Sequence, residues 1–343
     1  SSSTAGVSNF VMMKFCLIVA LAAAATALPV ATLNDKQYEN LFEAWIVQHG
    51  KDYKADEVAH KFAVFRSNLD FVMKHNAEAE EGKHTYTVEM NHLADLTAEE
   101  YRKYYLGFKF QPRLSTEREV ILNGTAPTSV DWRTKNAVTP VKNQGQCGSC
   151  WSFSTTGSIE GAWAIAKGKL VSVSEQELVD CDKVDQGCNG GLMDNAFTWI
   201  QQNGGLDTES DYSYTAHRSV GGCDKQKEKK DAVTISGHKD VAQNNEDQLA
   251  LAVAQQPVSV AIEADQSGFQ LYKSGVFTGA CGTQLDHGVL AVGYGTENGQ
   301  DYWLVKNSWG ASWGDQGYIK LQKGKGGAGQ CGIAMEPSYP VVQ

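Results

Sequence analysis

The sequence predicts an α+β protein in two lobes, preceded by a helical segment. Three observations predict it. Apolar residues recur in steps of three and four before about residue 110. Helical patterning continues from Cys150 to about Asp180. After about residue 230, short β-rich runs bounded by Gly or polar clusters take over. Helices grouped before strands read as α+β rather than as an alternating parallel fold. A chain of 343 residues is long enough for two domains or one large core.

The elements follow in order. Met13 to Leu21 has a basic start and an apolar run, and small residues follow at Ala25-Thr26-Ala27. This reads as a secretory signal cut after Ala27, with residues 1–27 forming the extension and signal. The run is shorter than the ~20 residues a spanning helix needs, so no stable membrane insertion is expected. From Leu33 to Gly107 the chain reads as mostly helical. Phe62, Phe65, Leu69 and Val72 make an apolar stripe, and Glu57 and Lys61 stand four apart as an ion pair. Gln111 to Thr128 is polar and reads as an exposed linker, where cleavage concentrates. It carries the sequon Asn123-Gly124-Thr125, a glycosylation candidate. A helix is expected from Cys150 to Lys167, stopped by Gly168, and another after the Ser174 cap with Glu177 three residues on. Strands are expected at Val258–Ile262, Gly288–Val292 and Tyr302–Lys306.

A net charge of −10 argues against nucleic acid as a partner. Of eight cysteines, Cys16 lies in the signal. Seven remain, so six can pair and one is left over. Spacing alone leaves fifteen pairings open. An odd thiol in a secreted chain is a candidate reactive group.

That group is identified by its surroundings. Cys150 sits in Gln144-Gly145-Gln146-Cys147-Gly148-Ser149-Cys150-Trp151, with His287 and Asn307 far downstream. A thiol needs a base to become a nucleophile, and the base needs a group to orient it. Cys147-Gly148-Ser149-Cys150 also matches a C-x-x-C redox pair or half a zinc site. No second Cys or His pair lies at ligand spacing for zinc, and no βαβ pattern precedes it. The combination resembles the papain-family cysteine peptidases, as a cathepsin L-type proenzyme. The series Glu57, Lys61, Phe65, Asn68, Val72, Asn76 and the run Glu89 to Asp95 resemble the two motifs of cathepsin L-type propeptides. Departures stand at Lys61, Val72, Glu89 and Leu93.

The resemblance implies a papain-like two-lobe fold, a helical lobe and a β-barrel-like lobe with the cleft between them. It implies an inhibitory propeptide over residues 28–125 and a peptidase domain over 126–343. It implies the disulfides Cys147–Cys188, Cys181–Cys223 and Cys281–Cys331, leaving Cys150 free. Catalysis is then expected from Cys150, His287 and Asn307, with Gln144 and the Cys150 N–H holding the oxyanion. Gly190, Gly191 and the carbonyl of Asp286 would pair with an extended peptide. Leu192, Met193, Ala261, Leu285 and Glu336 would line the pocket for the residue two before the cut, and Trp309 would shield the His–Asn bond. The expected function is a cysteine endopeptidase made as a secretory zymogen, vacuolar, lysosomal or extracellular. It would prefer an apolar residue in that pocket, or Arg through Glu336. The expected partners are protein and peptide substrates, the chain's own propeptide running backwards through the cleft, and cystatin-type inhibitors. No cofactor or metal is expected, and the protein is expected to be monomeric. A thiol oxidoreductase and a dead binding homologue are the competing readings. Intact Cys150, His287, Asn307 and Gln144 argue against the second.

Overall fold

The structure, a computed structural model, describes residues 33–113, 119–228 and 232–343. The expected signal and its cleavage at Ala27 lie outside these residues.

The N-terminal segment is a pair of helices, α1 (Asp35–His49) and α2 (Val58–Glu80), followed by strand β1 (Tyr86–Val88) and helix α3 (Ala98–Tyr105). Asn34 and Gln37 cap α1 reciprocally, and Gly50 ends it in the left-handed conformation. Phe65 and Val72 are buried on α2, as the apolar stripe predicts, and Phe62 and Leu69 pack against them. The expected Glu57–Lys61 pair is not made. Glu57 precedes the helix and accepts from the Lys54 N–H at 3.0 Å, while Lys61 Nζ binds Glu100 Oε1 of α3 at 2.7 Å. A long-range partner offering a tighter site displaces the exposed local one.

The described residues of the linker are exposed or half-buried, as expected, but its backbone is tied down. Residues 119–120 form β2, which pairs in parallel with β4 (Gly237–Val241). Leu122 exchanges hydrogen bonds with the Gln248 side chain, at 2.7 and 3.0 Å. The segment is polar, yet its backbone finds partners on the lobe beneath it. Asn123 stays exposed.

The first lobe is built on α4 (Cys150–Lys167), α5 (Glu175–Cys181) and α6 (Met193–Asn203). Ser174 caps α5 by accepting from the Glu177 N–H, and Gly168 stops α4, both as expected. The second lobe holds α7 (Glu246–Val253), β5 (Val258–Ile262), the short α8 (Ser267–Gln270), β6 (Tyr272–Phe277), β7 (His287–Glu297), β8 (Gln300–Lys306), β9 (Tyr318–Gln322) and β10 (Ser338–Val341). The sheet order is β1-β6-β9-β8-β7-β5-β10-β4-β2, and β3 (Val130–Asp131) pairs with β7. Helix α4 lies against this sheet. Ser154 Oγ donates to Val289 O at 2.7 Å, and Ser259 Oγ donates to Ser154 O at 2.9 Å. Gly161 permits the approach, since a Cβ there would stand 2.5 Å from the Pro257 ring.

The N-terminal segment shares its core with the second lobe. Phe42, Trp45, Phe65, Tyr86 and Leu93 belong to the same buried cluster as Phe269, Tyr272 and Phe277. Strand β1 extends the sheet by pairing antiparallel with β6. Docking is therefore driven by apolar burial as well as by the backbone ladder.

Candidate active site

Three elements converge on one point. Cys150 opens α4, so its sulfur faces the positive end of the helix dipole. His287 opens β7, and Asn307 follows the last residue of β8. The antiparallel β7–β8 ladder, with Leu290 opposite Lys306, brings the ends of these two strands together. Asn307 Oδ1 lies 2.8 Å from His287 Nε2 and also accepts from the Ser308 N–H at 2.8 Å. The second bond fixes the amide as an acceptor, so Nε2 carries the proton and Nδ1 is the bare nitrogen. Trp309 stacks on the imidazole with ring centres 4.7 Å apart and planes 29° apart. The Gly288 N–H points at Cys150 Sγ, 3.3 Å away.

The three disulfides are Cys147–Cys188, Cys181–Cys223 and Cys281–Cys331, and Cys150 is the free cysteine among the described residues. The bond at Cys147 removes the C-x-x-C redox reading.

The chain's own segment fills the cleft. After α3, Gly107 O accepts from the Gly191 N–H, the Lys109 N–H donates to Gly191 O, and the Phe108 N–H donates to Asp286 O, all at 2.9 Å. Phe108 and Gly191 pair in the parallel sense. Gly190 adopts φ 113°, and a Cβ on it would meet Gly107 O at 2.5 Å. The Phe108 side chain belongs to the buried cluster that holds Leu192, Met193, Ala261 and Leu285. Gln144 Nε2 donates to Cys147 O at 2.9 Å and to Tyr105 O at 3.1 Å, while its Oε1 accepts from Ser308 Oγ at 2.6 Å. Tyr101 and Tyr105 set their rings edge-on to Trp309, at 5.5 and 6.0 Å. Sequence reasoning assigned no role to Gly107, Phe108, Tyr101 or Tyr105. The signal was available: a Gly followed by an aromatic, directly after a capped helix.

Covering the site removes its charges. Burial pushes the Cys150 thiol up to about 11, although the N–H groups of Gly288, Gly107 and Trp151 oppose it. Burial also pulls His287 down to about 4 against the Asn307 hydrogen bond. Under the segment the pair is therefore a neutral thiol beside a neutral imidazole.

Glu336 stands apart from the other pocket candidates. It is 3% exposed, and its carboxylate is bound by Gln243 Nε2 at 2.7 Å and faces Arg113 Nε at 3.1 Å. Beneath Asn307 and Ser308 lies a cavity of about 20 Å³ lined by Lys142, Glu160, Glu175 and Lys306. Lys142 bridges Glu160 and Glu175 at 3.0 and 2.7 Å. Asp194, His238 and Asp240 hold one potential metal-ligand atom each within 4.8 Å of one another, but the Arg113 guanidinium stands against both aspartates. No described helix is long and apolar enough to cross a membrane.

Comparison with known proteins agrees with this geometry. Residues 126–341 match the family described as papain family cysteine protease, and residues 42–101 match the cathepsin propeptide inhibitor domain (I29). The chain is 51% identical to the Probable cysteine protease RD21B of Arabidopsis thaliana over 90% of this chain and 67% of that protein. It is 46% identical to the Probable cysteine protease RDL2 of the same plant, over 97% and 93%. The proform of the ragweed pollen cysteine protease Amb a 11 superposes with a TM-score of 0.82 at 39% identity, over 90% of this chain and 96% of that one. This chain belongs to the papain family of cysteine proteases and carries its own cathepsin-type propeptide, the composition of a zymogen.

Proposed function

We propose that the mature enzyme cleaves polypeptides with Cys150 as nucleophile, His287 as proton carrier and Asn307 as its orienter. The observation that carries this reading is the chain's own peptide strand lying over Cys150, hydrogen-bonded to Gly191 and Asp286. A substrate strand uses the same groups. The thiol proton passes to His287 Nδ1, and the thiolate attacks the scissile carbonyl. The oxyanion is held by the Cys150 N–H and by the Gln144 N–H that faces Tyr105 O in the zymogen. The imidazolium then protonates the leaving amine. Water, deprotonated by His287, hydrolyses the thioester and regenerates the thiol.

Phe108 supports a preference for an apolar residue two before the cut, in a pocket of Leu192, Met193, Ala261 and Leu285. Acceptance of Arg through Glu336 is supported less, since Gln243 and Arg113 engage that carboxylate. The disulfides, the exposed Asn123 sequon and the apolar stretch after Met13 support a secretory route, with a vacuolar or extracellular destination and a glycan on Asn123. Cystatin-type inhibitors fit the same cleft, and a monomer suffices for catalysis.

The bromelain protease from Ananas comosus, 44% identical over 63% of this chain and all of that one with a TM-score of 0.60, was solved in complex with the E64 inhibitor. The processed enzyme should be labelled once by E64, at Cys150, with loss of hydrolysis of a Phe-Arg dipeptidyl reporter. Labelling of any other residue, or hydrolysis that survives Cys150→Ser, would overturn the reading.

A further inference from the structure

Two disulfides pin the ends of a short loop beneath the cleft. Cys181 is bonded to Cys223 and Cys188 to Cys147, and residues 182–187 run between them. The loop leads into Gly190 and Gly191, and the Gly191 backbone pairs with the chain's own strand. Gly191 rests on the loop, since a Cβ there would meet Asp185 Cγ at 2.8 Å. Asp185 Oδ1 accepts from the Leu192 N–H at 3.0 Å and from Asn195 Nδ2 at 3.1 Å. Its carboxyl thus ties the residue after Gly191, and the first turn of α6, to the loop. Asp182 Oδ1 accepts from the Val184 N–H at 2.8 Å and from the Asp185 N–H at 3.4 Å.

The second oxygens of these carboxyls are different. Asp182 Oδ2 and Asp185 Oδ2 are both buried, and among the described residues neither receives an N–H or O–H. Asp182 nevertheless acts on Asp185 as a hydrogen-bond partner as well as through its charge. Two ionised carboxylates have no hydrogen to share, so this contact requires a proton on one of them. One proton, carried on Asp185 Oδ2 and donated to Asp182 Oδ2, satisfies both oxygens and halves the buried charge. Burial first, and then the Asp182 charge, pushes the Asp185 carboxyl up to about 8. The charged groups around the loop are engaged elsewhere or stand outside it. Lys183 is exposed, Asp180 is held by Tyr212 OH and the Ser219 N–H, and Asp194 faces Arg113. Lys109 lies over Gly190, and the Arg218 stem lies against Gly187.

We propose that Asp182 and Asp185 share a single proton, and that Asp185, so held, is a positioning residue for the Gly190–Leu192 shelf on which the substrate backbone is paired. This rests on the proposed peptidase reading. When the proton leaves, two like charges face each other in a loop pinned at both ends. Asp185 then withdraws from the Leu192 N–H, and the shelf loosens. A raised carboxyl keeps its proton at lower pH, so the hold is complete there and fades as pH climbs through about 8. The shelf grips ground state and transition state alike, so its loss falls on KM and not on kcat.

The pair is read first in the full-length Cys150→Ser protein, from the ¹³Cγ signals of labelled aspartate. Two signals should move together in one step between about pH 7 and pH 9, and either Asp182→Asn or Asp185→Asn should abolish that step. Kinetics of the processed enzyme read the consequence. KM for a Phe-Arg dipeptidyl reporter should rise about fivefold from pH 6 to pH 9, the worth of about one hydrogen bond. Asp185→Asn keeps an acceptor for Leu192 and puts its Nδ2 in place of the proton, so it should hold the low KM through pH 9. Asp185→Ala should show the raised KM at every pH. Asp286, pushed up to about 7 by burial, also titrates in the cleft. It is common to wild type and Asp185→Asn, so the ratio of their KM values isolates the pair. A ratio that stays constant from pH 6 to pH 9 would overturn the inference. So would aspartate signals that show both carboxyls already ionised at pH 6. The signals do not depend on hydrolysis, so an intact step in a protein that cleaves nothing would sink the peptidase reading alone.

Discussion

Gly107 rests directly on Gly148. A Cβ on Gly107 would come within 2.8 Å of Gly148 Cα and closer still to its carbonyl. The two glycines let a backbone pass over the catalytic thiol at hydrogen-bonding distance from Gly191. Gly107→Ala should push the segment off this path and weaken the three hydrogen bonds on either side. Such a disruption costs about 1–3 kcal/mol, which is about 5- to 150-fold in segment affinity. Self-processing at pH 5, followed by gel, should accelerate at least several-fold. An unchanged rate would mean that the segment's hold lies elsewhere.

Cys150 should be chemically quiet in the zymogen. Its thiol is pushed up to about 11 by burial, so at pH 7 the thiolate is a small minority. Release of the propeptide returns solvent to the cleft and lifts the burial that also holds His287 neutral at about 4. Alkylation by iodoacetamide at pH 6–7 should be at least tenfold slower for the zymogen than for processed enzyme. Equal rates would show that the covered site already holds its ion pair.

The Lys61–Glu100 bond should sense acid. Burial pushes the Glu100 carboxyl up, but hydrogen bonds from Lys61 and Thr97 outweigh it and hold the group below its ordinary value. A depressed carboxylate contributes stability fully above its unfolded value of about 4.3, and loses it as pH falls through the folded value. Asp95, bound by Lys51 Nζ and Tyr53 OH at 2.8 Å each, offers a second charged tie in the same segment. Self-processing should therefore rise steeply below about pH 5. Glu100→Gln should process faster at pH 6–7 and respond less to acid. A mutant profile that overlays wild type would remove Glu100 from the trigger.

Lys142 should matter to stability far more than an exposed lysine. It is the cation between two fully buried glutamates, and burial already pushes Glu175 up to about 8. Removing one partner of a buried ion pair costs about 3–5 kcal/mol. Lys142→Met should lower the thermal midpoint of the processed enzyme by several degrees and make that midpoint fall further as pH rises. The pH trend follows because Glu175, left without its lysine, resists ionisation in the fold, so stability is lost as pH climbs past its unfolded value. A midpoint within one degree of wild type would contradict the arrangement.

Much of this protein is determined by sequence because the determinants are local. The extent of α4 follows from Cys150 to Lys167 and the stop at Gly168, and the α5 cap from Ser174. Cys150, His287, Asn307 and Gln144 are legible because a thiol nucleophile demands those residue types together. Tertiary structure decided what depends on competition between distant partners. Lys61 abandons its neighbour Glu57 for Glu100, because a partly buried partner on α3 is less screened than an exposed one a turn away. The exposed linker is tied to the lobe at two points, by the pairing of residues 119–120 with β4 and by Arg113 beside Glu336. The Glu336 carboxylate is claimed by Gln243 and Arg113. None of these outcomes is written in periodicity or motif, because each is a difference in desolvation and Coulomb energy that exists only once the chain has folded.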